Sequence, residues 1–368
     1  MLKSKQPDYF LIAIIGLLLI IGLVFLNSAS SVIGYKNFKD TFYYLKHQII
    51  FGLIPGLFFF VFLYFFKIKY LKKISYLLFL LSFILIIAVF IPGIGMKYRE
   101  AQRWLDLRFF SFQPIEFFKL CFIIFLASFF SQREKEINDF YKTFLPFLLF
   151  FIIIAIPIIF QPNISALIII FLISLSIYFV AGGSLVYIFG LILLGGTSFL
   201  ILIKIAPYRL SRILSFISPN VDPQGISYHL QQSLIAIGSG GVLGRGFGCS
   251  GQKYFYLPEV FGDSIFAIIA EEVGFIFTVL IVFLLFLLIL RGLKIAKNSS
   301  DLFSKLAALG ITSWLGFQTI INIGAMIGIL PLTGVPLPLI SYGSSALVAN
   351  LAGLGILVNI SKSTQTME

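Results

Sequence analysis

Long apolar runs, each closed by a short polar, glycine-bearing or proline-bearing join, recur ten times along this chain. They fall near residues 10–27, 47–66, 74–93, 113–131, 143–160, 164–181, 185–203, 264–290, 305–330 and 341–360. Each is close to the length a helix needs to cross a hydrocarbon layer of about 30 Å. The runs are unbroken rather than alternating, so they predict bundled helices and not a membrane barrel. The first run follows Lys3 and Lys5 and precedes Asn27-Ser-Ala-Ser, which resembles a signal peptide. Its length, Phe10 to Leu26, instead predicts a retained first helix. The expected fold is an all-α integral membrane protein with about ten transmembrane helices, one polytopic domain over residues 1–368. A single large extracytoplasmic loop, 204–262, is expected between helices seven and eight.

Composition agrees with that pattern. Of 368 residues, 59% are hydrophobic and 11% charged, too little charge to cover a soluble surface of this size. With the N-terminus inside, the inner joins carry 13 Lys and Arg in 49 residues and the outer ones 12 in 107. Positive charge is therefore about twice as dense inside, which predicts a multi-pass protein with both termini cytoplasmic. The net charge of +12 also favours an anionic lipid surface.

Several function classes drop out. The inner joins are too short for an ATPase, and no GxxxxGK[ST] occurs, so no nucleotide is expected. No basic patch interleaved with aromatics points to nucleic acid. Gly246-Phe-Gly-Cys-Ser-Gly251 matches GxGxxG but follows no strand and opens no helix. Cys121 and Cys249 give neither a disulfide framework nor a metal spacing, and His47 and His229 form no ligand cluster.

Polar chemistry gathers on the outer side. In the long loop, Ile226, Leu230, Leu234 and Ile237 recur at helical spacing while Gln231 and Gln232 face away. That predicts a short amphipathic helix on the membrane surface, followed by glycines acting as a flexible lid. Within the helices, away from their ends, the only acids are Glu116, Glu271 and Glu272 and the only base is Lys119. Each such charge costs roughly 2.5–3.5 kcal/mol near the bilayer centre unless paired or hydrated. Glu116 and Lys119 are i,i+3 neighbours, able to form either a structural ion pair or part of an outward-facing polar pocket.

Asp263 marks the junction between the glycine-rich loop and the next helix. It is placed to cap that helix, to act in chemistry, or both. Glu271 should lie about 12 Å deeper and roughly 80° round the helix, facing the same cavity, with Glu272 turned toward a neighbouring helix. Gln252, Lys253 and Glu259 stand near Asp263 in sequence. Arg99, Arg103, Lys204, Arg209, Arg212 and Arg245 supply cations on the same side, which suits a departing pyrophosphate.

Five strings then carry a resemblance over nearly the whole chain. They are Ala101-Gln-Arg-Trp-Leu, SFQPIEFFKL from Ser111, and YRLSRILSFISPNVDPQGISYHLQQSLIAIGSGG from Tyr208. After these come QKYFYLPEVFGDSIFAIIAEEVGF from Gln252 and NIGAMIGILPLTGVPLPLISYGSS from Asn322. Together they resemble the SEDS family (shape, elongation, division and sporulation), membrane enzymes that polymerise peptidoglycan. QKYFYLPE, with IGSGG before it and ISYG after it, is more similar to the division branch, FtsW, than to the rod-elongation branch, RodA.

The resemblance implies a catalytic aspartate at Asp263, an essential acid and lysine at Glu116 and Lys119, an arginine at Arg103 and a serine motif at Ser341. It implies lipid II as substrate together with an undecaprenyl-linked nascent glycan, at the outer face of the cytoplasmic membrane. Partners would be a class B penicillin-binding transpeptidase and other division proteins. A divalent cation, Mg²⁺ or Mn²⁺, would sit between carboxylate and phosphates. One departure stands out: where the family reads QPDxGT, this chain reads QPNISA, with Asn163 in place of the acid. Three other readings stay open here: a lipid II flippase, a RodA-like elongation polymerase and a non-catalytic scaffold.

Overall fold

The computed structural model describes residues 6–98, 101–106, 108, 110–205, 216 and 226–363. All ten apolar runs are helices. In order these are α1 (Tyr9–Phe38); α2 (Tyr43–Gln48), running through a π-turn at Ile49–Leu53 into α3 (Ile54–Phe65); α4 (Ile68–Ala88); and α5 (Pro114–Ser131). Next come α6 (Leu145–Phe160), preceded by a π-turn at Phe140–Phe144, α7 (Ile164–Val180) and α8 (Leu185–Ile205). The short α9 (Ile226–Ser239) precedes α10 (Ile265–Lys297), α11 (Leu302–Met326) and α12 (Ser344–Ser361). Nine of these stretches are long and apolar enough to cross a membrane among the described residues, and α7 is a shorter apolar helix.

Burial separates a hub from a rim. α5, α11 and α12 are 83%, 72% and 89% buried over their most apolar windows, against 11% for α8. Composition explains the difference. The hub helices carry small residues that let backbones approach: a Cβ on Gly310 would meet the Ile123 side chain at 2.5 Å, and one on Gly355 the backbone of Phe60 at 2.5 Å. α8 instead turns Leu185, Val186 and Phe189 outward, as a lipid-facing helix does.

The outer join 94–112 holds a small antiparallel sheet: β1 (Gly95–Tyr98), β2 (Ala101–Asp106) and β3 (Ser111–Phe112), in that spatial order. Asp106 N–H bonds the Ile94 carbonyl at 2.8 Å and closes its base. Pro114 then starts α5 at a position where its fixed φ suits the first helical turn.

The glycine-rich loop is not a loose lid. α10 breaks at Gly274 (φ 74°, ψ −174°), which would strand backbone groups on both sides of the break. The loop satisfies them. Arg245 and Gly246 N–H donate to the carbonyls of Glu271 and Glu272, each at 3.0 Å, while Phe275 and Ile276 N–H donate to the carbonyls of Gly241 and Val242. Irregular backbone at this depth is tolerated only when its polar groups are met in this way. A Cβ on Gly274 would lie 2.2 Å from the Gly244 nitrogen, so glycine is required at this crossing. Gly274→Ala is expected to cost about 2 kcal/mol or more and to lower the thermal midpoint in detergent by several degrees. Gly190→Ala, on α8 where a Cβ meets nothing within 4 Å, should leave that midpoint unchanged or raise it.

α9 forms where the amphipathic spacing predicted it, but it presents a different face. Ser227, Leu230, Ser233 and Ala236 are buried, whereas Leu234 is 42% exposed. Ser233 Oγ points at Met326 Sδ, 3.6 Å away on α11. The small residues let α9 pack closely against α10 and α11, which outweighs laying a leucine stripe on a surface.

Candidate functional site

Asp263 belongs to a tight turn just ahead of α10. Gly262 and Ser264 N–H both bond the Glu259 carbonyl, at 2.9 and 3.3 Å, with Glu259 itself at φ 49°. The helix cap is therefore Ser264, not Asp263, and it makes no side-chain cap bond to the first turn. Its hydroxyl bonds the Pro258 carbonyl at 2.8 Å and pairs with His229 Nε2 at 2.6 Å, which ties α9 to the turn. Asp263 is thus released from capping and stays partly exposed.

Two further segments clamp the turn. Asn322 on α11 donates through Nδ2 to the carbonyls of Asp263 at 2.8 Å and Val335 at 2.7 Å. Tyr342 N–H bonds the Phe261 carbonyl at 2.9 Å. The Asp263 carboxylate lies against Gly334, where a Cβ would come 3.7 Å from Oδ2. Ser165 Oγ, on the first turn of α7, donates to the Thr333 carbonyl at 2.7 Å and brings buried Asn163 to the same end of the bundle.

The intramembrane ion pair lies behind this clamp. Lys119 Nζ and Glu116 Oε2 are 2.9 Å apart and almost fully buried. Lys119 also reaches Gln318 Oε1 at 3.3 Å and sits 5.1 Å from the centre of the Trp314 ring. Gln318 in turn accepts from Trp314 Nε1 at 2.8 Å and donates to the Pro336 carbonyl at 2.9 Å. Gln318 and Asn322 are one helical turn apart, so one face of α11 holds consecutive carbonyls, Val335 and Pro336, of the segment beside Asp263. The pair and the aspartate meet through this amide ladder.

Several expected site residues face elsewhere. Glu271 does not share a cavity wall with Asp263: its carboxylate accepts from Ser250 Oγ, Gly251 N–H at 3.0 Å and Gln252 N–H at 3.3 Å, and pairs with Arg245 at 3.4 Å. The angular reckoning between the two acids assumed that both are helical, and Asp263 is not. Glu272 turns to a neighbouring helix as expected, accepting from Ser28 Oγ on α1 at 2.6 Å. Lys253 is not available to a ligand. It is 3% exposed, 3.2 Å from Glu272, and its ammonium also bonds the Gly248 carbonyl. The two buried carboxylates thus staple the loop into the helix break from below, and Gln252 forms part of that staple.

Arg103 donates from β2 to the carbonyls of Gln161 at 3.1 Å and of Pro162, so it braces the α6–α7 turn. Ser341 is buried and closes its own turn, accepting from Leu337 N–H at 2.8 Å. Glu259 is exposed on the Asp263 turn. Arg209 and Arg212 lie outside the described residues.

Four positions escaped the sequence reading: Gln318, Asn322, His229 and Tyr342. The first two carried a usable signal, since they are amides four residues apart within an apolar run. Tyr342 packs its ring against Tyr44 and Phe261, each 5.4 Å between centroids, and shares a 3.0 Å hydrogen bond with His47 Nδ1. Burial, with Tyr44 and Tyr43 beside it, pushes the Tyr342 phenol above its ordinary value, so it stays neutral in its hydrogen bond with His47.

The comparisons with known proteins bear on the same frame. The cell cycle protein family of FtsW, RodA and SpoVE matches residues 8–366. Stage V sporulation protein E of Bacillus subtilis (strain 168) is 39% identical over 98% of both chains. A protein of Trichlorobacter lovleyi named probable peptidoglycan glycosyltransferase FtsW is 36% identical, over 98% of this chain and 94% of its own. Among solved structures, a chain described under structural coordination of polymerization and crosslinking by a peptidoglycan synthase complex superposes with a TM-score of 0.77. It is 26% identical over 98% of each chain.

Proposed function

The chain belongs to the FtsW, RodA and SpoVE family of multi-pass membrane proteins, and on that premise we propose that it is a peptidoglycan glycosyltransferase. It polymerises lipid II at the outer face of the cytoplasmic membrane, with both termini inside. The observation that carries this reading is Asp263: a partly exposed residue excused from helix capping, on a turn whose backbone is held by Asn322 at the Asp263 carbonyl and by Tyr342 at the Phe261 carbonyl, with its carboxylate beside Gly334.

In the proposed reaction Asp263 takes the proton from the 4-hydroxyl of the acceptor GlcNAc. That oxygen attacks the anomeric carbon of the MurNAc of the lipid-linked donor from the face opposite the leaving group. The new glycosidic bond forms as the bond to undecaprenyl pyrophosphate breaks and the electron pair departs with the phosphate, inverting the carbon. The donor is already activated, so the step needs no nucleotide. Geometry is what the chain supplies, since a base held in place adds to rate both through proton transfer and through orientation.

With Arg103 and Lys253 committed to the frame, the leaving pyrophosphate falls to Lys204, exposed on α8, and to Arg209 and Arg212. A divalent cation would be held by the exposed carboxylate of Glu259, on the same turn as Asp263, together with substrate phosphates. When bound, such an ion would offset charge on the departing phosphate.

The division setting is favoured by relatives named FtsW, and a sporulation setting by the 39% identical SpoVE. Both use the same chemistry, and a crosslinking partner such as a class B penicillin-binding protein fits either. The test is purified full-length chain in liposomes, with lipid II polymerisation and lipid translocation measured separately. Glycan strands forming from outward-facing lipid II, without movement of lipid between leaflets, are the expected result. Translocation without polymer would replace this reading with a flippase.

A further inference from the structure

The end of the bundle opposite Asp263 carries an open polar groove that the glycosyltransferase reading does not use. Its position follows from α5. Gln113 N–H, just ahead of that helix, donates to Ser345 Oγ, three residues from Tyr342 and the Asp263 clamp, whereas Ser128 near the other end donates to the Lys72 carbonyl at 3.2 Å. Fourteen residues of helix, about 21 Å, separate Pro114 from Ser128. The groove, open to its surroundings, is lined by Lys69, Tyr70, Lys72, Lys73, Tyr76 and Gln132.

Three features make it an anion cradle. First, among the described residues no carboxylate pairs with Lys69, Lys72 or Lys73; of the acids at this end, Glu136 holds Lys142 at 2.7 Å and Asp301 caps α11 through Ser304. Second, the groove lies at the start of the 21-residue α4, whose first turn has no acidic residue and no side-chain cap. The positive end of that helix adds to the ammonium charge. Third, no acid lines the groove, while two tyrosines and an amide supply neutral donors.

Its surroundings point to a lipid rather than to a free anion. A shallow apolar groove lined by Phe58, Val61, Phe62, Phe65 and Phe66 adjoins it, with the Phe66 and Tyr70 rings 6.4 Å apart. One exposed arc of α4 reads Lys69, Lys73, Tyr76, Leu80 and Ile84, beside a second exposed row of Tyr70, Leu77, Leu81 and Leu85. Charge gives way to aromatic and then to aliphatic side chains over about four turns, matching the sequence of headgroup, interface and acyl chain.

We propose that the Lys69–Lys72–Lys73 groove is a binding site for the phosphodiester headgroup of an anionic glycerophospholipid, with one acyl chain along the phenylalanine-lined groove on α3. The test uses the full-length protein in detergent, titrated with dioleoyl phosphatidylglycerol, with dioleoyl phosphatidylcholine, or with inorganic phosphate. Retained lipid is read by native mass spectrometry and thermal midpoint by scanning fluorimetry.

The unmodified chain should retain phosphatidylglycerol in preference to phosphatidylcholine with the same acyl chains, and inorganic phosphate should neither raise the midpoint nor compete. Lys69→Gln with Lys72→Gln and Lys73→Gln should weaken phosphatidylglycerol binding roughly fivefold per lysine, on the order of 10²-fold in all. Lys36→Gln with Lys39→Gln and Lys46→Gln removes the same charge at the outer end of the bundle, beyond a screening length of about 8–10 Å, and should change binding less than about twofold. Equal loss in both triple variants, no preference for phosphatidylglycerol by the unmodified chain, or full competition by inorganic phosphate would each overturn the proposal.

Discussion

Asp263→Asn is expected to lower the rate of lipid II polymerisation by about 10²–10⁴-fold while leaving lipid II binding within a few-fold of the unmodified chain. The substitution keeps the shape of the side chain and removes only its capacity to accept a proton. It also leaves the frame alone, because Asn322 holds residue 263 through the backbone carbonyl and the helix cap is Ser264. Loss of rate with retained binding is therefore attributable to the base. Asn322→Ala makes the complementary cut: the carboxylate stays and its tether goes. A fall of about 10–10²-fold is expected there, the size associated with a reacting group displaced by roughly an ångström. Strand synthesis by the Asp263 variant at more than a tenth of the normal rate, read on gels of labelled glycan, would remove Asp263 from the chemistry.

The legible part of this protein is the part that hydropathy governs. Ten apolar runs became ten helices because the cost of unsatisfied backbone in hydrocarbon leaves almost no other choice. The same averaging hid the most consequential local feature, since the run around Gly274 stays apolar on average despite Glu271 and Glu272 just before the break. Nothing in a window of side-chain hydropathy reports that the helix opens there to receive Gly241–Gly246. Asp263 was legible as the residue of interest but displaced by one position from its expected role as cap. The turn built on the Glu259 carbonyl decides that, and a string of polar residues does not encode which carbonyl will be used.

Lys253 shows the other kind of failure. A lysine in a polar loop near a candidate active site reads as substrate-facing, yet it is buried against Glu272, a partner 19 residues away in sequence. The two adjacent acids of α10 divide their work between the loop and α1, a division set by tertiary packing alone. The amides of α11 were readable in principle: Gln318 and Asn322 stand four apart in an otherwise apolar helix, and polar side chains there are costly enough to need partners.

The buried pair on α5 gives the largest expected effect on stability. Lys119→Met leaves Glu116, 4% exposed, without its ammonium partner and removes a donor from Gln318. Breaking a buried pair from one side costs about 3–5 kcal/mol, so Lys119→Met should unfold readily in a detergent denaturation series. Adding Glu116→Gln should recover most of that loss, because replacing both charges removes the desolvation penalty along with the attraction. The double variant also separates the two roles open to the pair. If Glu116 and Lys119 act only as a frame that sets α11 and the 335–336 backbone, the recovered protein should polymerise lipid II at close to the normal rate. If they contact substrate, it will be stable and inactive. The ladder from Lys119 through Gln318 to Pro336 and from Asn322 to Asp263 favours the frame, so recovery of activity alongside stability is the expected result.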